Sequence, residues 1–421
     1  MNDQIAGAIE SARLWQPGYN IFTQIEDVDS VTAKPGGPLS GVPIAIKDLI
    51  DHAGRVTTLG SAFYRDIPTT TATSIQRLEE AGAVVVGRTG LHEFAFGFSS
   101  ENPHFGPVHN PWDPETSPGG SSGGSGAAVG AGIVPLAIGT DTGGSVRVPA
   151  ALCGCYGLKV TYGKIPLDGV FPLVPSIDTV GPLAGSIKLL DLAYRAMSLD
   201  TSVSETPGNL RIGIPRPWFE MAPLAPAVAR AFELAVGEVE RLGHEVRPVE
   251  MPDVFPDRPI NFAIAAEVVA IHRDYREKGL TYGSEVATRL DEAFTVTPEQ
   301  IGEGRAWQAM IRARMSDAFA TVDLLMTPTV AAMRKAIGID EIDGTPYRKV
   351  LSWFSSVVNH ALVPAIAMPL AGTGRPPVSL QLIGPSDSEP LLLELGRQLE
   401  DAKITEFVSA ELRAPAPQTG N

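Results

Sequence analysis

Glycine and serine crowd into one segment of the chain, residues 117–147, which reads SPGGSSGGSGAAVGAGIVPLAIGTDTGGSVR. Glycine is favoured where a backbone turns sharply or approaches another segment closely. Two such clusters, around Ser121 and Ser145, flank one short apolar run from Ile133 to Ile138. We therefore expect two loops that meet at one site and present hydroxyls and backbone N–H groups. Acyl-transfer chemistry needs both, as a nucleophile and as donors to the oxyanion.

Charge and composition exclude several other classes of protein. The net charge is -15 and no basic run occurs, which argues against a nucleic-acid partner. No basic segment followed by an apolar core begins the chain, and no apolar run reaches the ~20 residues of a membrane span, so we expect a cytoplasmic protein without membrane contact. Cys153 and Cys155 are too close for a good disulfide and too few for a structural zinc site. We expect two free buried thiols and no metal.

Strand and helix patterns alternate along the whole chain. Alternating apolar residues at 42, 44 and 46 predict a strand that ends at Lys47 and Asp48. A helix over residues 74–82 and a strand from Ala83 to Val86 follow, which makes a βαβ unit with a parallel strand pair. No linker-like stretch interrupts the alternation, so the sequence predicts one large α/β domain over residues 1–421.

The serine-rich segment fits this pattern at a strand end. Phe96 to Gly120 reads as a long loop, and the small residues 122–133 read as a closely packed buried helix. A strand from Val134 to Ile138 then leads into the second cluster. Sites in open α/β sheets gather at the carboxyl ends of strands. Apolar strands at residues 324–330, 365–370 and 378–385, and a helix from Glu389 to about Glu400, complete the chain.

A serine nucleophile must pass its proton to a base, which is usually histidine. The seven histidines are scattered, and none lies in a signature that ties it to a serine. A lysine can take this part if burial lowers its pKa. Lys47, at the end of its predicted strand, is the candidate.

The segment GGSSGGSGAAVGAGIVPLAIGTDTGGSVRVPAALCGCYGLK resembles the signature of the amidase signature family. Flanking blocks agree with it, namely GPLSGVPIAIKD, VGRTGLHEFAFG, YGKIPLDGVFPLVPSIDTVGPLAGS, LLMTPT and PVSLQLIGP. The resemblance is dense over about residues 37–190 and thinner beyond. It implies a mixed β-sheet with helices on both faces, and hydrolysis of amide bonds without a cofactor.

The resemblance also implies roles for individual residues. Ser145 corresponds to the nucleophile. Ser121, which follows a cis peptide bond from Gly120 in this family, corresponds to the serine that relays a proton. Lys47 corresponds to the general base, which later protonates the departing amine.

Neighbouring residues are implied to support this triad. The backbone N–H groups of the loop before and at the nucleophile form the family's oxyanion hole, which here comprises Thr142, Gly143, Gly144 and Ser145. We expect Asp141 and Arg147 to pair and fix this loop, and Ser122 to hydrogen-bond within the triad. Val160 and Gly90 depart from the family's usual proline and asparagine, which affects the entrance rather than the triad.

Three other functions compete with this one. Residues 120–124 satisfy the G-x-S-x-G pattern of an α/β-hydrolase with Ser122 as nucleophile, but a Pro-rich loop stands where that fold needs a strand. A phosphate-binding loop would need a Gly-Lys-Ser/Thr sequence, which is missing. The A subunit of a glutamine-dependent tRNA amidotransferase stays open, although it typically carries Ser-Arg-Tyr-Gly where this chain has Ile165 to Gly169.

We therefore expect an amidase that cleaves a non-peptide carbon–nitrogen bond of a small molecule through an acyl-enzyme on Ser145, releasing ammonia or an amine. The sequence does not identify the amide. In this family the acyl pocket is built by loops and by the variable second half, here about residues 255–360. A homodimer is the simplest expectation for the oligomeric state.

Overall fold

The computed structural model describes residues 3–32, 36–204, 208–251 and 259–412. The strands are β1 Phe22–Ile25, β2 Pro43–Lys47, β3 Val84–Thr89, β4 Glu101–Asn102, β5 Gly106–Pro107, β6 Leu136–Asp141, β7 Tyr156–Lys159, β8 Thr179–Ala184, β9 Arg211–Pro215, β10 Glu245–Val249, β11 Leu324–Pro328, β12 Glu341–Ile342, β13 Thr345–Pro346, β14 Ala365–Pro369 and β15 Ser379–Ile383. The helices are α1 Asp3–Tyr19, α2 Thr73–Glu80, α3 Gly123–Gly130, α4 Arg147–Cys153, α5 Ile187–Ser198, α6 Arg216–Glu220, α7 Pro226–Arg241, α8 Pro259–Glu277, α9 Ser284–Phe294, α10 Pro298–Phe319, α11 Tyr347–Ser352, α12 Ser356–His360 and α13 Glu389–Asp401.

One mixed sheet of 11 strands runs through the molecule in the order β1-β3-β2-β6-β8-β7-β14-β15-β11-β9-β10. Strands β3, β2 and β6 are parallel, with Ile46 beside Ile138, whereas β8, β7, β14 and β15 pair antiparallel. The predicted βαβ unit is thus confirmed. Because β2 and β6 are parallel, their carboxyl ends, at Lys47 and Asp141, lie at the same edge of the sheet.

Helices cover both faces of this sheet. Ile44 and Ile46 of β2 belong to one hydrophobic core, which includes residues of α2, α5 and α13. Ala45 belongs to a second core on the opposite face, with residues of α1 and α3. All five residues of β2 are therefore buried, rather than alternately buried and exposed. A strand covered on both faces loses the alternation that one exposed face would impose.

The helix predicted from small residues is α3, and every residue in it is buried. A Cβ atom on Gly124 would lie 2.5 Å from the carbonyl oxygen of Ile21 and 2.6 Å from Gly90 N. Only small residues allow the helix to pack this closely against its neighbours. Cys153 and Cys155 are free and buried, as expected.

The strand predicted at Val134 to Ile138 is wrong in its bounds. The strand β6 begins at Leu136 and continues to Asp141, because the polar residues of the second cluster still pair with β8, with Asp141 opposite Thr179. The end of this strand is therefore set by its pairing with β8 and not by the end of the apolar run. The long loop over 96–120 is present apart from the short hairpin of β4 and β5.

Within the described part of the chain, no helix combines the length and apolar character required to cross a bilayer.

Candidate active site

Lys47 is the last residue of β2 and its side chain is fully buried. Its Nζ lies 2.7 Å from Ser121 Oγ and 2.8 Å from Thr140 Oγ1. The parallel pairing of β2 and β6 brings Thr140 to this position. Lys47 is thereby hydrogen-bonded to Ser121, one of the two serines predicted for the site.

Burial lowers the pKa of Lys47 from 10.5 to about 7, although the negative charges of Asp141 and Asp178 oppose this shift. Desolvation disfavours the charged amine, because water no longer solvates it. A substantial fraction of Lys47 is therefore neutral near pH 7. A neutral amine 2.7 Å from a hydroxyl can accept its proton.

Ser121 lies between the glycine-rich loop and the start of α3. The peptide bond from Gly120 to Ser121 is cis. A Cβ atom on Gly120 would lie 2.8 Å from backbone atoms of Phe98 and Ser99, so a side chain would displace this loop. The carbonyl of Ser121 accepts hydrogen bonds from His92 N at 3.1 Å and Ser100 Oγ at 3.2 Å. These contacts fix the backbone that carries the hydroxyl.

Ser145 borders a cavity and is 4% exposed. Its carbonyl accepts a hydrogen bond from Ser122 N at 3.2 Å, which joins the two serine clusters as predicted. Across the described ranges, no side-chain hydrogen bond links the hydroxyls of Ser121 and Ser145. Of the three predicted residues, the structure therefore hydrogen-bonds Lys47 to Ser121 and leaves Ser145 facing the cavity.

One expected oxyanion donor is wrong. Gly144 N donates to Asp141 Oδ1 at 2.8 Å, so this N–H group is already occupied. The amides of Thr142, Gly143 and Ser145 have no acceptor among the residues that the structure describes, and all three residues border the cavity. The turn nevertheless requires glycine at position 144, because the φ of 130° found there is accessible mainly to glycine.

Asp141 and Arg147 pair as predicted, and both are fully buried. Asp141 accepts from Arg147 Nε and Nη2 at 3.0 Å each, and from Val146 N at 3.1 Å. Burial opposes ionisation of Asp141, but the Arg147 charge outweighs it and holds the pKa below its ordinary value. Arg147 also donates to Asn359 Oδ1 at 2.6 Å and to Gln381 Oε1 at 2.8 Å. The loop that carries Ser145 is thus tied to the C-terminal third of the chain.

Ser122 does not hydrogen-bond to the side chains of the triad, contrary to expectation. Its hydroxyl donates to Thr140 O and accepts from Thr140 N, both at 3.2 Å. Although Ser122 directly precedes α3, its side chain does not cap that helix. Ser122 therefore anchors the strand end that carries Thr140.

Asp178 supports the other side of the loop. It accepts from Thr142 Oγ1 at 2.6 Å and from the backbone N–H groups of Leu173 and Val174 at 2.8 and 2.9 Å. Burial raises its pKa, and these hydrogen bonds work in the opposite direction. The contact fixes Thr142, one of the remaining oxyanion candidates.

A cavity of about 300 Å³ opens above Ser145. Aromatic and aliphatic side chains form much of its wall, including Phe96, Phe98, Leu173, Ile177 and Trp353. Residues 260–264 and 289–360 contribute to the lining, within the region expected to form the acyl pocket, whereas residues 255–258 of that region lie outside the described residues. The volume fits a small molecule rather than a polypeptide.

Ser145 thus borders a small cavity, and the buried Lys47 is hydrogen-bonded to a second serine, Ser121. The sequence model of the amidase family matches residues 20–393. The chain therefore belongs to the amidase family, as its signature segment predicted. This membership supports hydrolysis of carbon–nitrogen bonds.

Proteins similar in sequence to this chain include both a hydrolase subunit and amidotransferase subunits. The chain is 36% identical over 395 residues to AtzE, a subunit of the 1-carboxybiuret hydrolase of Pseudomonas sp. strain ADP, covering 87% of this chain and 85% of that protein. It is 33% identical over 443 aligned residues to the A subunit of the glutamyl-tRNA(Gln) amidotransferase of Thermus thermophilus, covering 95% and 92%.

Solved structures agree with the mixed sheet flanked by helices. A crystal structure of an amidase superposes with a TM-score of 0.87 at 29% identity, covering 95% of each chain. A 6-aminohexanoate cyclic dimer hydrolase in complex with its substrate superposes with a TM-score of 0.79 at 26% identity, covering 95% of this chain and 93% of that one.

Sequence reasoning missed several residues of the site. Thr140 was visible as the polar residue before Asp141, but its contact with Lys47 depends on how β2 and β6 pair. Asn359 and Gln381 lie more than 200 residues from Arg147, and no local pattern distinguishes them. The spacing of residues within one segment does not predict contacts with segments so distant in the sequence.

Proposed function

We propose that this chain hydrolyses a non-peptide amide of a small molecule through an acyl-enzyme on Ser145. The observation that carries the proposal is the buried Lys47 amine, with a pKa near 7, held 2.7 Å from Ser121 Oγ beside the Ser145 loop. A lysine and serine placed together in this way supply a base without histidine. Neither metal nor organic cofactor takes part in the proposed steps.

Acylation begins when neutral Lys47 accepts the Ser121 proton while Ser121 Oγ accepts that of Ser145. Ser145 Oγ then attacks the amide carbonyl carbon. The N–H groups of Thr142, Gly143 and Ser145 stabilise the oxyanion, an effect typically worth ~2.7–4 kcal/mol for one donor. As the carbon–nitrogen bond breaks, protonated Lys47 returns the proton through Ser121 to the departing nitrogen.

Deacylation reverses the proton path. Water attacks the Ser145 ester, and its proton passes through Ser121 to Lys47. The carbon–oxygen bond to Ser145 breaks, the carboxylic acid leaves, and the serine recovers its proton. The required relay contact between Ser121 and Ser145 forms when substrate orders the nucleophile, because catalytic hydrogen bonds often tighten only in the substrate complex.

The test is covalent labelling with a small fluorophosphonate, followed by peptide mapping. We expect one adduct on Ser145, which Ser121→Ala and Lys47→Ala abolish without unfolding the protein. Ser122→Ala is the matched control, because its hydroxyl bonds only the Thr140 backbone. An adduct on Ser122, or full labelling in Lys47→Ala, would contradict the mechanism.

The A component of a tRNA amidotransferase remains the second candidate. It is favoured by the 33% identity that extends over 95% of this chain. The two functions differ in what the purified chain does alone. Release of ammonia from small amides by the single polypeptide supports the stand-alone enzyme. Hydrolysis of glutamine only in a stoichiometric complex with a second protein supports the amidotransferase instead.

A further inference from the structure

Cationic side chains are concentrated at the cavity above Ser145. Arg289 of α9 and Arg348 and Lys349 of α11 border it, and no carboxylate side chain of the described residues does. The chain as a whole carries a net charge of -15, so this cavity has the opposite sign to the average surface. Local positive potential of this kind raises the concentration of anionic ligands in a cleft.

Arg289 is held rigidly at the cavity wall. Its Nη1 donates to the carbonyl oxygen of Phe96 at 2.6 Å, and its guanidinium carbon lies 3.9 Å from the centre of the Phe96 ring. Stacking and hydrogen bonding together fix the plane of the guanidinium. Burial and the nearby charge of Arg348 lower the pKa of Arg289 to about 10, so it remains charged at neutral pH.

Glu285, the acidic residue that acts most strongly on Arg289, is already engaged. Glu285 accepts a hydrogen bond from Tyr347 Oη at 2.6 Å and lies 3.6 Å from His92 Nε2. Glu285 and Glu292 both favour the charged form of Arg289, but neither carboxylate borders the cavity, whereas Arg289, Arg348 and Lys349 do. The cavity therefore keeps an excess of positive charge.

Arg348 differs from Arg289 because its guanidinium has neither a hydrogen bond nor an ion pair with any residue in the described part of the chain. It borders the cavity and is half-buried. A half-buried guanidinium presents a planar fork of N–H donors that matches a carboxylate in bidentate geometry. An anion between Arg348 and Arg289 would also relieve the repulsion between them.

We propose that the substrate carries a carboxylate as well as the scissile amide, and that Arg348, assisted by Arg289, binds this carboxylate. This inference rests on the proposed function of the Ser145 site and adds the class of its substrate. The cavity of about 300 Å³ has room for short monoamides of dicarboxylic acids, which are the simplest members of that class.

The test compares isosteric amides. Succinamate is set against 4-oxopentanamide, in which a methyl group replaces one carboxylate oxygen, and glutaramate against 5-oxohexanamide. We expect wild-type enzyme to hydrolyse the carboxylates with kcat/KM about 10- to 100-fold higher, since hydrogen bonds to charged groups contribute that much. Arg348→Met should remove this preference by lowering kcat/KM for the carboxylates far more than for the neutral amides, and Arg348→Lys should restore part of it.

The matched control is Arg305→Met, which removes the same charge from an exposed position of α10 outside the cavity lining. It should keep the wild-type preference. Equal rates for charged and neutral amides in wild type, or an equal loss for both in Arg348→Met, would overturn the carboxylate site while leaving the amidase proposal intact.

Binding is measured separately, so that a failure of hydrolysis is distinguishable. Calorimetric titration of Ser145→Ala with glutaramate should give a Kd about 10- to 100-fold lower than that of the Ser145→Ala/Arg348→Met double variant. If no amide is hydrolysed but this difference is found, the carboxylate site stands and the proposed reaction fails. Absent or equal binding by both proteins sinks the carboxylate site.

Discussion

Burial of Lys47 is unfavourable for stability, and the proposed mechanism depends on that burial. A fully buried ammonium is costly, and the pKa near 7 measures how far burial has shifted the balance toward the neutral amine. Asp141 and Asp178 limit the shift, so the lysine exchanges protons near neutral pH rather than staying permanently uncharged. A general base is most effective when its pKa lies near the working pH.

The pH dependence of the proposed reaction should report this lysine. We expect kcat/KM to fall tenfold per pH unit below about pH 7, because protonated Lys47 cannot accept the Ser121 proton. Lys47→Met should abolish turnover. Burial also lowers the pKa of Lys159 to about 7, but its Nζ donates to the carbonyls of Val160 and Val363, away from both serines. If the acidic limb of the pH–rate profile disappears in Lys159→Met, that limb reports Lys159, and its assignment to Lys47 is wrong.

The same shift predicts a pH dependence of stability. The pKa of Lys47 is about 7 when folded and 10.5 in the unfolded reference state. Between these values the unfolded chain binds a proton that the folded chain does not, so stability rises with pH; below both values the slope vanishes. The free energy of unfolding of wild type relative to Lys47→Met should therefore increase by ~1.4 kcal/mol per unit from pH 7 to 9. Urea titrations at several pH values measure it, and a flat difference would refute the shifted pKa.

Lys47, Ser121 and Ser145 were selected through the resemblance of their sequence blocks to the amidase signature family, and their chemical roles remain predictions. The errors concern neighbours whose side chains or N–H groups had to be assigned to particular partners. The turn after β6 directs Gly144 N toward Asp141, and the hydroxyl of Ser122, just before α3, bonds the backbone of Thr140. The direction of a backbone N–H group depends on the dihedral angles of its loop. The positions of glycines in the sequence do not give those angles.

At the scale of elements, the loop that carries Ser145 depends on the Asp141–Arg147 pair. Replacing Arg147 by Met leaves a buried carboxylate without its main partner, and breaking a buried pair in this way costs ~3–5 kcal/mol. We expect chemical denaturation to show a loss of that size, together with loss of activity. Arg211→Met breaks an exposed pair with Asp323 and should change stability little. Similar stability of the two variants would mean that the buried pair does not hold the loop.

The turn between β6 and α4 should tolerate no side chain at Gly144. A Cβ atom there would lie 2.2 Å from Ser355 Oγ, at a φ of 130°. Gly144→Ala should therefore lower kcat by displacing Ser145, and Ser355→Gly should recover part of the loss by removing the clash. Gly163→Ala is the control, because Gly163 also has a positive φ of 81° but no atom within 4 Å of its Cβ position. Wild-type kcat in Gly144→Ala would show that the turn can shift without consequence.

Elements were predictable where periodicity and packing agreed. The small-residue pattern over 122–133 indicated the buried α3, and the strand of residues 42–46 was located to within one residue. The strand after α3 was misplaced because its last three residues, Gly139 to Asp141, are held by pairing with β8 rather than by an apolar run. Pairing partners distant in sequence decide such boundaries.

At the scale of the whole molecule, the site joins segments from both ends of the chain. Lys47 lies in β2, Ser145 before α4, and Arg147 reaches Asn359 of α12 and Gln381 of β15. The central sheet connects all of them through successive strand pairs. The functional geometry therefore depends on the folding of distant segments together, which also accounts for why local sequence reasoning could not locate Asn359 and Gln381.

This arrangement predicts that activity and global structure are lost together. If residues 1–421 form one domain, as the sequence predicts, urea should abolish amide hydrolysis and change tryptophan fluorescence at the same midpoint. Trp218, Trp307 and Trp353 report on the hydrophobic core at β11, β14 and β15, whereas Lys47 lies in β2, toward the other end of the strand order. Arg147→Met should shift both midpoints equally, because the pair it breaks connects the two regions. If activity disappears well before the fluorescence changes, the catalytic half unfolds separately, and the single-domain prediction is wrong.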